Sequence, residues 1–273
     1  MKIGYSTITW GGVVGHPAGV TSVKDLFYRS NGDILKGVSD ISSAGYAGTE
    51  VFDGNLAEFA DRPEVFLEAL KKAKLELVSV YTGANFIYDE ILEDELHKIS
   101  QAAKLASEFG AKRLVVGGGA VRSQGEHPDD MAKLGRALDR VVEMASSLGL
   151  ESSYHPHLGT IVQTPEALER LMKVSSIQFC PDTAHLTAGG GNAVELIEKH
   201  ADRLAHVHLK DFKYATGEFL PLGQGDIDFH GVLAAVLSSG YDSWLMIELD
   251  SYDGDPRDAA VMSKKYLEEL LAD

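Results

Sequence analysis

The sequence DDMAKLGRALDRVVEMASSLGLESSY, residues 129–154, consists of a helical segment, a glycine and a short strand. Apolar residues recur at helical spacing over Asp129–Leu148, Gly149 supplies a helix stop, and Leu150–Tyr154 has the length of a strand. The same helix, glycine and strand order recurs around Gly45 and Gly110. Eight strands are predicted, over Ile3–Ile8, Thr49–Phe52, Leu75–Tyr81, Arg113–Val116, Leu150–Tyr154, Ile177–Cys180, Leu204–Leu209 and Trp244–Leu249.

Eight helical segments alternate with these strands. They are predicted over Asp33–Ala44, Pro63–Lys74, Asp94–Phe109, Asp129–Leu148, Pro165–Val174, Ala193–His200, Phe229–Ser238 and Asp258–Leu271. Strict alternation predicts an α/β fold with a parallel sheet inside and helices outside, and eight units in 273 residues match a (β/α)8 TIM barrel. A doubly wound open sheet is the alternative. Because no Pro- or Ser-rich linker interrupts the pattern, we predict one domain over residues 1–273.

The charge balance disfavours two classes of partner. The chain has 25 Lys and Arg against 41 Asp and Glu, a formal charge of −16. Such a surface repels the phosphates of nucleic acids and anionic membranes. No stretch approaches the ~18 apolar residues of a membrane span, and no signal peptide is recognised, so we expect a cytoplasmic protein. Cys180 is the only cysteine, which excludes an internal disulfide and predicts a buried apolar thiol.

The connection over Gly11–Asn31, after the first strand, is long and rich in Gly, Ser and Thr. Long loops in barrels are often lids over the active site. A plain surface loop is the alternative interpretation.

Polar residues follow four consecutive predicted strands. In a barrel the active site lies at the carboxyl ends of the strands, so these positions are candidate site residues. Two imidazoles and two carboxylates at neighbouring strand ends offer the mixed N and O ligands that suit Mn, Co, Fe or Zn. A buried carboxylate also needs a cation nearby, which a salt bridge to Lys210 would supply for one of the two. The candidates are His155 and His157, Asp182 and His185, His206, His208 and Lys210, and Glu248.

Other polar and aromatic side chains are candidates for the substrate pocket. Trp10 and Tyr81 lie at or after the first and third strands, where aromatic rings could pack on the apolar face of a sugar. Glu50 lies near the end of the second strand, where its carboxylate could bind a substrate hydroxyl. Packing in the core is the alternative for the two aromatic residues.

Several short motifs together resemble a known family. The motifs YHPHLGT (154–160), DTAH (182–185), HVHLKD (206–211), GQGDIDF (223–229) and IE (247–248) look like those of the xylose-isomerase-like barrel superfamily of sugar isomerases and epimerases. Within it, they look most like inosose dehydratases and related lyases of keto-sugars. The resemblance spans nearly the whole chain.

The resemblance implies roles for individual residues. One divalent metal ion would be held by His155, Asp182, His208 and Glu248, with Mn²⁺ expected and Co²⁺, Mg²⁺, Zn²⁺ or Fe²⁺ as alternatives. His185 matches a position that contacts substrate hydroxyls in relatives. Lys210 matches a polar position beside the substrate in the dehydratase-like members.

One departure from the family pattern bears on the reaction. Ketose epimerases usually have Glu at the position of His155, and that Glu works with the Glu of the last strand in proton transfer on both sides of the substrate. Its absence favours a lyase that removes a proton next to the ketone of a cyclic keto-polyol and expels a β-substituent. We assign His157 as the base and His185 or Lys210 as the acid.

The resemblance leaves several alternatives open. Loss of hydroxide would make the enzyme a dehydratase, and loss of an aglycone would make it similar to C-glycoside deglycosidases, which pair with a small second subunit. The expected substrate is a keto-sugar or keto-inositol, and we expect an oligomer. A ketose 3-epimerase or sugar isomerase, a metal-dependent DNA repair nuclease and a non-catalytic sugar-binding barrel are the competing functions, and the negative charge opposes the nuclease.

Overall fold

The computed structural model describes residues 1–11 and 27–272. Its main sheet has eight parallel strands, and a separate antiparallel hairpin follows the seventh of them. The barrel strands are β1 Lys2–Ser6, β2 Gly48–Phe52, β3 Glu76–Ala84, β4 Arg113–Gly118, β5 Glu151–Tyr154, β6 Gln178–Phe179, β7 His208–Leu209 and β10 Trp244–Ile247. The hairpin strands are β8 Asp211–Lys213 and β9 Glu218–Leu220.

The sheet closes on itself. Its strand order is β6-β5-β4-β3-β2-β1-β10-β7, which is chain order around a cylinder. Parallel bridges join Phe179 to Leu204 and Asp182 to His208 across the gap between β6 and β7. The backbone N–H of Ala205 donates to the carbonyl of Phe179 at 3.0 Å. The predicted (β/α)8 barrel is therefore confirmed, and the alternative of a doubly wound open sheet is not observed.

Helices separate the barrel strands. They are α1 Ile34–Ser43, α2 Asp53–Ala57, α3 Pro63–Ala73, α4 Leu92–Glu108, α5 Asp130–Ser147, α6 Pro165–Val174, α7 Thr183–Ala188, α8 Ala193–Lys199, α9 Phe229–Ser238 and α10 Pro256–Ala272. Two 3₁₀ turns cover Thr7–Thr9 and Ala201–Arg203. All eight predicted helices are present, whereas α2, α7 and the hairpin are additional elements. No helix in the described ranges has both the length and the apolar composition needed to cross a bilayer.

Local sequence explains where the elements begin and end. Thr164 caps α6 by accepting a hydrogen bond from the N–H of Ala167 at 3.3 Å, and Pro165 occupies the first turn. Gly149 has φ +74°, so it reverses the chain between α5 and β5 as predicted. The seventh strand is shorter than the predicted Leu204–Leu209, because the 3₁₀ turn precedes it and pairing with β6 is confined to isolated bridges.

Two layers of packing hold the barrel. The main core lies between the sheet and the helices, and a smaller cluster consists of Ile8, Phe52, Tyr81, Val115 and Cys180. Cys180 is fully buried, as its apolar neighbours predict. Buried polar side chains replace apolar ones at the carboxyl ends of β5, β6, β7 and β10, so this end of the barrel is the candidate site.

A buried ion pair between Asp53 and Lys98 lies beside the backbone of Tyr28. The carboxylate of Asp53 accepts from the N–H of Tyr28 at 2.8 Å and from the hydroxyl of Thr82 at 2.6 Å. The ammonium of Lys98 on α4 lies 2.6 Å from the same carboxylate, and both charges are buried. Residues 12–26 of the predicted lid or surface loop lie outside the described residues.

We expect Lys98→Met to destabilise the protein by about 3–5 kcal/mol, because it leaves a buried carboxylate without its counter-charge. Urea unfolding followed by circular dichroism measures the change. Lys2→Met is the control, since the Lys2–Glu76 pair is more than half exposed and should contribute less than about 1 kcal/mol. Equal decreases in the free energy of unfolding of the two variants would contradict the conclusion that Asp53 needs the charge of Lys98.

Candidate metal centre and active site

Four buried side chains converge at the carboxyl ends of neighbouring barrel strands. His155 directly follows β5, Asp182 lies three residues beyond β6, His208 begins β7, and Glu248 directly follows β10. One ligand atom from each lies within 4.8 Å of the others. The Nε2 atom of His155 is 3.4 Å from Oδ2 of Asp182, and Nδ1 of His208 is 2.6 Å from Oε2 of Glu248. The structure thus brings together the four side chains that the sequence analysis selected.

The chemistry of these atoms fits a divalent cation. Nε2 of His155, Oδ2 of Asp182 and Nδ1 of His208 are buried and make no hydrogen bond of good geometry in the described part of the chain, although Lys210 lies near Oδ2 and Glu248 lies near Nδ1. Leaving a buried polar atom unpaired costs about 1–3 kcal/mol. A cation among the four side chains would satisfy these atoms, and two nitrogens with two carboxylates suit Zn, Mn, Co or Fe.

The other atoms of two candidate ligands are fixed by separate contacts. Oδ1 of Asp182 accepts from the N–H of His185 at 2.8 Å and caps α7, which leaves Oδ2 directed at the cluster. This cap also explains why a helix begins directly after Asp182. Nε2 of His208 lies 3.2 Å from Oε2 of Glu50, which leaves Nδ1 facing Glu248. Such outer contacts orient metal ligands in proteins.

A fully buried lysine lies against the cluster. Nζ of Lys210 is 2.5 Å from Oε1 of Glu248, 2.8 Å from Oδ1 of Asp250 and 3.3 Å from Oδ2 of Asp182. Burial lowers the pKa of the Lys210 ammonium, but the charges of Asp182, Asp250 and Glu248 outweigh burial and raise the pKa well above its ordinary value. Lys210 is therefore charged at neutral pH in the resting site.

Two imidazoles lie in contact beside this lysine, with their ring planes tilted by 37°. The rings of His157 and His185 are 3.7 Å apart between centroids. Nδ1 of His157 donates to the carbonyl of Leu158 at 2.7 Å, so a neutral His157 has its lone pair on Nε2. Nε2 of His185 lies 3.2 Å from Nζ of Lys210 and accepts from it, so the ring proton of His185 is on Nδ1, which has no partner among the described residues.

Both imidazoles are kept neutral. Burial, followed by the charge of His155, lowers the pKa of His157 below its ordinary value. Burial is the main cause that lowers the pKa of His185 well below its ordinary value, and the positive charge of Lys210 lowers it further. A neutral His157 can accept a proton, and a neutral His185 can donate a hydrogen bond from Nδ1.

The three predicted substrate contacts lie in different places. Tyr81 packs edge-on against His155, with 5.4 Å between ring centroids, and is next to the cluster. Glu50 lies under His208. Trp10 is not brought to the cluster: its indole N–H donates to Asp40 of α1 at 2.9 Å, and its ring belongs to the main core. Trp10 is therefore a core residue, which was the alternative to a substrate contact. Its buried indole N–H finds the acceptor that it needs on α1.

Two residues at the site have no assigned role in the sequence analysis. Phe219 of β9 lies 4.8 Å from the His185 ring and 5.1 Å from Nζ of Lys210, so the hairpin delivers an aromatic face to the site. Asp250 contacts Lys210, and its position two residues after Glu248 in sequence was a usable signal. No such signal marked Phe219, because the hairpin was not predicted.

Comparisons with known proteins agree with this architecture. The sequence model of the xylose isomerase-like TIM barrel family matches residues 38–270. Inosose dehydratase from Clostridium botulinum (strain Alaska E43 / Type E3) is 27% identical over 266 residues, which cover 85% of this chain and 88% of that protein. Inosose dehydratase from Geobacillus kaustophilus (strain HTA426) is 28% identical over 269 residues, which cover 86% of each chain.

Solved structures share the fold. The IolI protein with a bound zinc atom superposes with a TM-score of 0.77 at 18% identity, covering 100% of this chain and 98% of that one. A D-tagatose 3-epimerase-like protein superposes with a TM-score of 0.75 at 20% identity, covering 100% of this chain and 97% of that one. Because the family match extends over most of the sequence, the chain belongs to the xylose isomerase-like TIM barrel family.

Proposed function

We propose that this protein is a sugar-processing enzyme, and specifically a metal-dependent lyase that enolises a cyclic keto-polyol or 3-keto-sugar and eliminates a β-substituent. The observation that carries the proposal is the orientation of His157: the Leu158 carbonyl holds its Nδ1 proton, so Nε2 can accept a proton beside the four converging side chains and the charged Lys210. The similarity to inosose dehydratases supports a dehydratase-like reaction.

The proposed metal ligands are His155, Asp182, His208 and Glu248. When bound, a divalent ion supplies Lewis acidity that stabilises the negative charge developing on a substrate ketone by several kcal/mol. The zinc of the IolI structure supports a divalent ion, and Mn²⁺ stays a prediction from the sequence.

His157 is the proposed base. Its Nδ1 proton is held by the Leu158 carbonyl, so the ring orientation is fixed and Nε2 can take the proton on the carbon next to the ketone. A positioned base contributes about 10²–10⁴-fold to the rate. Burial keeps the imidazole neutral and ready to accept the proton.

Lys210 and His185 together form the proposed acid. The leaving oxygen takes the Nδ1 proton of His185, and Nε2 of His185 takes a proton from Lys210, whose Nζ lies 3.2 Å away. The electron pair of the broken bond leaves with that oxygen, and the imidazole stays neutral. The site is reset when Nδ1 of His185 takes up a proton and Nε2 returns its proton to Lys210, a transfer that the three carboxylate neighbours of Lys210 favour.

The site also supports a polyol as substrate. Phe219 offers an aromatic face on which the C–H groups of a ring can pack, and His185 offers an N–H for a hydroxyl. The structural likeness to a D-tagatose 3-epimerase-like protein makes a ketose 3-epimerase the second candidate. Against it, His155 stands where the family's epimerases usually have Glu, so proton transfer between two carboxylates lacks one partner.

A product-resolved screen tests the proposed function. Inososes, 3-keto-glucosides and free ketoses are incubated in D₂O with Mn²⁺ or Zn²⁺, and products are identified by mass spectrometry and NMR. We expect an unsaturated or dehydrated product from an inosose, or a released aglycone from a keto-glucoside. Deuterium exchange on free ketoses without elimination would establish the epimerase instead, and binding without turnover would establish a sugar-binding barrel.

Assembly is a separate part of the proposal. We expect the protein to form an oligomer, and we expect it to pair with a small second subunit if its substrate is a C-glycoside. A keto-glucoside that reacts only after a second polypeptide is supplied would support that case.

A further inference from the structure

A second group of buried polar side chains lies under the proposed metal ligands. Oε2 of Glu50 is 3.2 Å from Nε2 of His208 and 3.5 Å from Nε2 of His206. The hydroxyl of Ser79 donates to the same oxygen at 2.6 Å. All four side chains are at most 1% exposed, so water does not compete for these contacts.

The directions of these hydrogen bonds settle where the protons are. The hydroxyl proton of Ser79 goes to Glu50, so Ser79 can only accept from Nε2 of His206, 3.4 Å away. An ionised carboxylate only accepts, so Nε2 of His208 must donate to Glu50. Nε2 of each imidazole therefore carries a proton, which leaves Nδ1 of His208, the atom 2.6 Å from Oε2 of Glu248, as the nitrogen that can bind a metal ion.

We propose that Glu50 is a positioning residue: it fixes the ring orientation and proton location of His208 so that Nδ1 of His208 is available to the metal ion. This inference rests on the proposed function, because it assumes that the cluster above His208 binds a metal. It gives Glu50 a different role from the substrate contact that its position in the sequence suggests.

The placement of Glu50 separates the two roles. Its carboxylate is almost fully buried, and Oε2 already accepts from the Ser79 hydroxyl and from Nε2 of His208, with Nε2 of His206 3.5 Å away. Carboxylates that hold the second nitrogen of a ligating histidine typically change metal affinity or activity by about 10–100-fold when replaced.

The test measures metal affinity apart from catalysis. We expect Glu50→Ala to raise the Kd for Zn²⁺, measured against a chromophoric chelator, by about 10–100-fold. Glu50→Gln should lose less affinity for Zn²⁺ than Glu50→Ala, because the amide oxygen of Gln can accept the same hydrogen bonds. Glu95→Gln is the matched control: its buried carboxylate holds the N–H groups of Asn85 and Phe86, so its Kd should equal that of the wild type.

Two further readouts exclude a general structural effect. In ¹⁵N spectra of the zinc-loaded protein, His208 should have its proton on Nε2 in the wild type and in Glu50→Gln, and lose this preference in Glu50→Ala. At saturating metal, KM should stay near the wild-type value.

Each contrary outcome has its own meaning. An unchanged Kd with a raised KM would overturn the inference and establish a substrate contact. Two zinc ions in the wild type and one in Glu50→Ala would overturn it by making Glu50 a ligand of a second ion. A wild type that binds no Zn²⁺ would refute the proposed metal function itself, which distinguishes that failure from a failure of Glu50 alone.

Discussion

His208→Ala is expected to abolish stoichiometric metal binding and to lower turnover by about 10³-fold. The side chain supplies one of four converging ligand atoms, and Nδ1 has no other partner among the described residues. Lewis-acid stabilisation of several kcal/mol corresponds to about three factors of ten in rate. Elemental analysis of the dialysed protein and a turnover assay measure the two effects.

His200→Ala is the control for His208→Ala. His200 is also a buried histidine, but it pairs with Glu169 at 2.9 Å on the outer layer, away from the cluster. We expect it to retain the metal and most of the turnover. A His208→Ala protein that keeps both would refute the assignment of His208 as a ligand.

His157→Ala should separate catalysis from metal binding. We expect full metal content and a loss of about 10²–10⁴-fold in kcat, because the base is removed while the four ligand atoms remain. Its Nδ1 contact is to the Leu158 carbonyl and not to a ligand, so the cluster keeps its contacts. The measurement is metal content together with kcat and KM at saturating metal.

A second variant sharpens this result. His157→Gln keeps a side chain of similar reach but cannot accept a proton at neutral pH, so it should lose as much turnover as His157→Ala. If His157→Gln retained wild-type kcat, the base would have to be another group. Loss of metal from either variant would instead place His157 among the ligands.

Patterns with strong physical causes were predictable from the sequence. The alternation of short β-branched runs with helical segments predicted the barrel, because each repeat must bury one apolar face of a helix on a parallel sheet. Imidazoles and carboxylates at strand ends predicted a candidate site at one mouth of the barrel, because parallel strands bring their carboxyl ends together. The family resemblance then singled out His155, Asp182, His208 and Glu248, which converge in the structure.

Features that depend on side-chain direction or on backbone partners were not predictable. Trp10 turns to α1 because Asp40 accepts its indole proton, a contact 30 residues away in sequence. The hydrogen bond that orients the His157 ring depends on a backbone carbonyl, and the position of Phe219 depends on a hairpin with little periodicity. The sequence suggested one salt bridge to Lys210, whereas the structure buries its ammonium among three carboxylates.

Anomalous diffraction at the zinc edge from crystals grown with Zn²⁺ tests the central claim most directly. We predict one strong peak bonded to Nε2 of His155, Oδ2 of Asp182, Nδ1 of His208 and Oε2 of Glu248, at about 2.0–2.2 Å from each atom. A peak that avoids these four atoms, or a map without a peak in the barrel mouth at saturating Zn²⁺, would contradict the account.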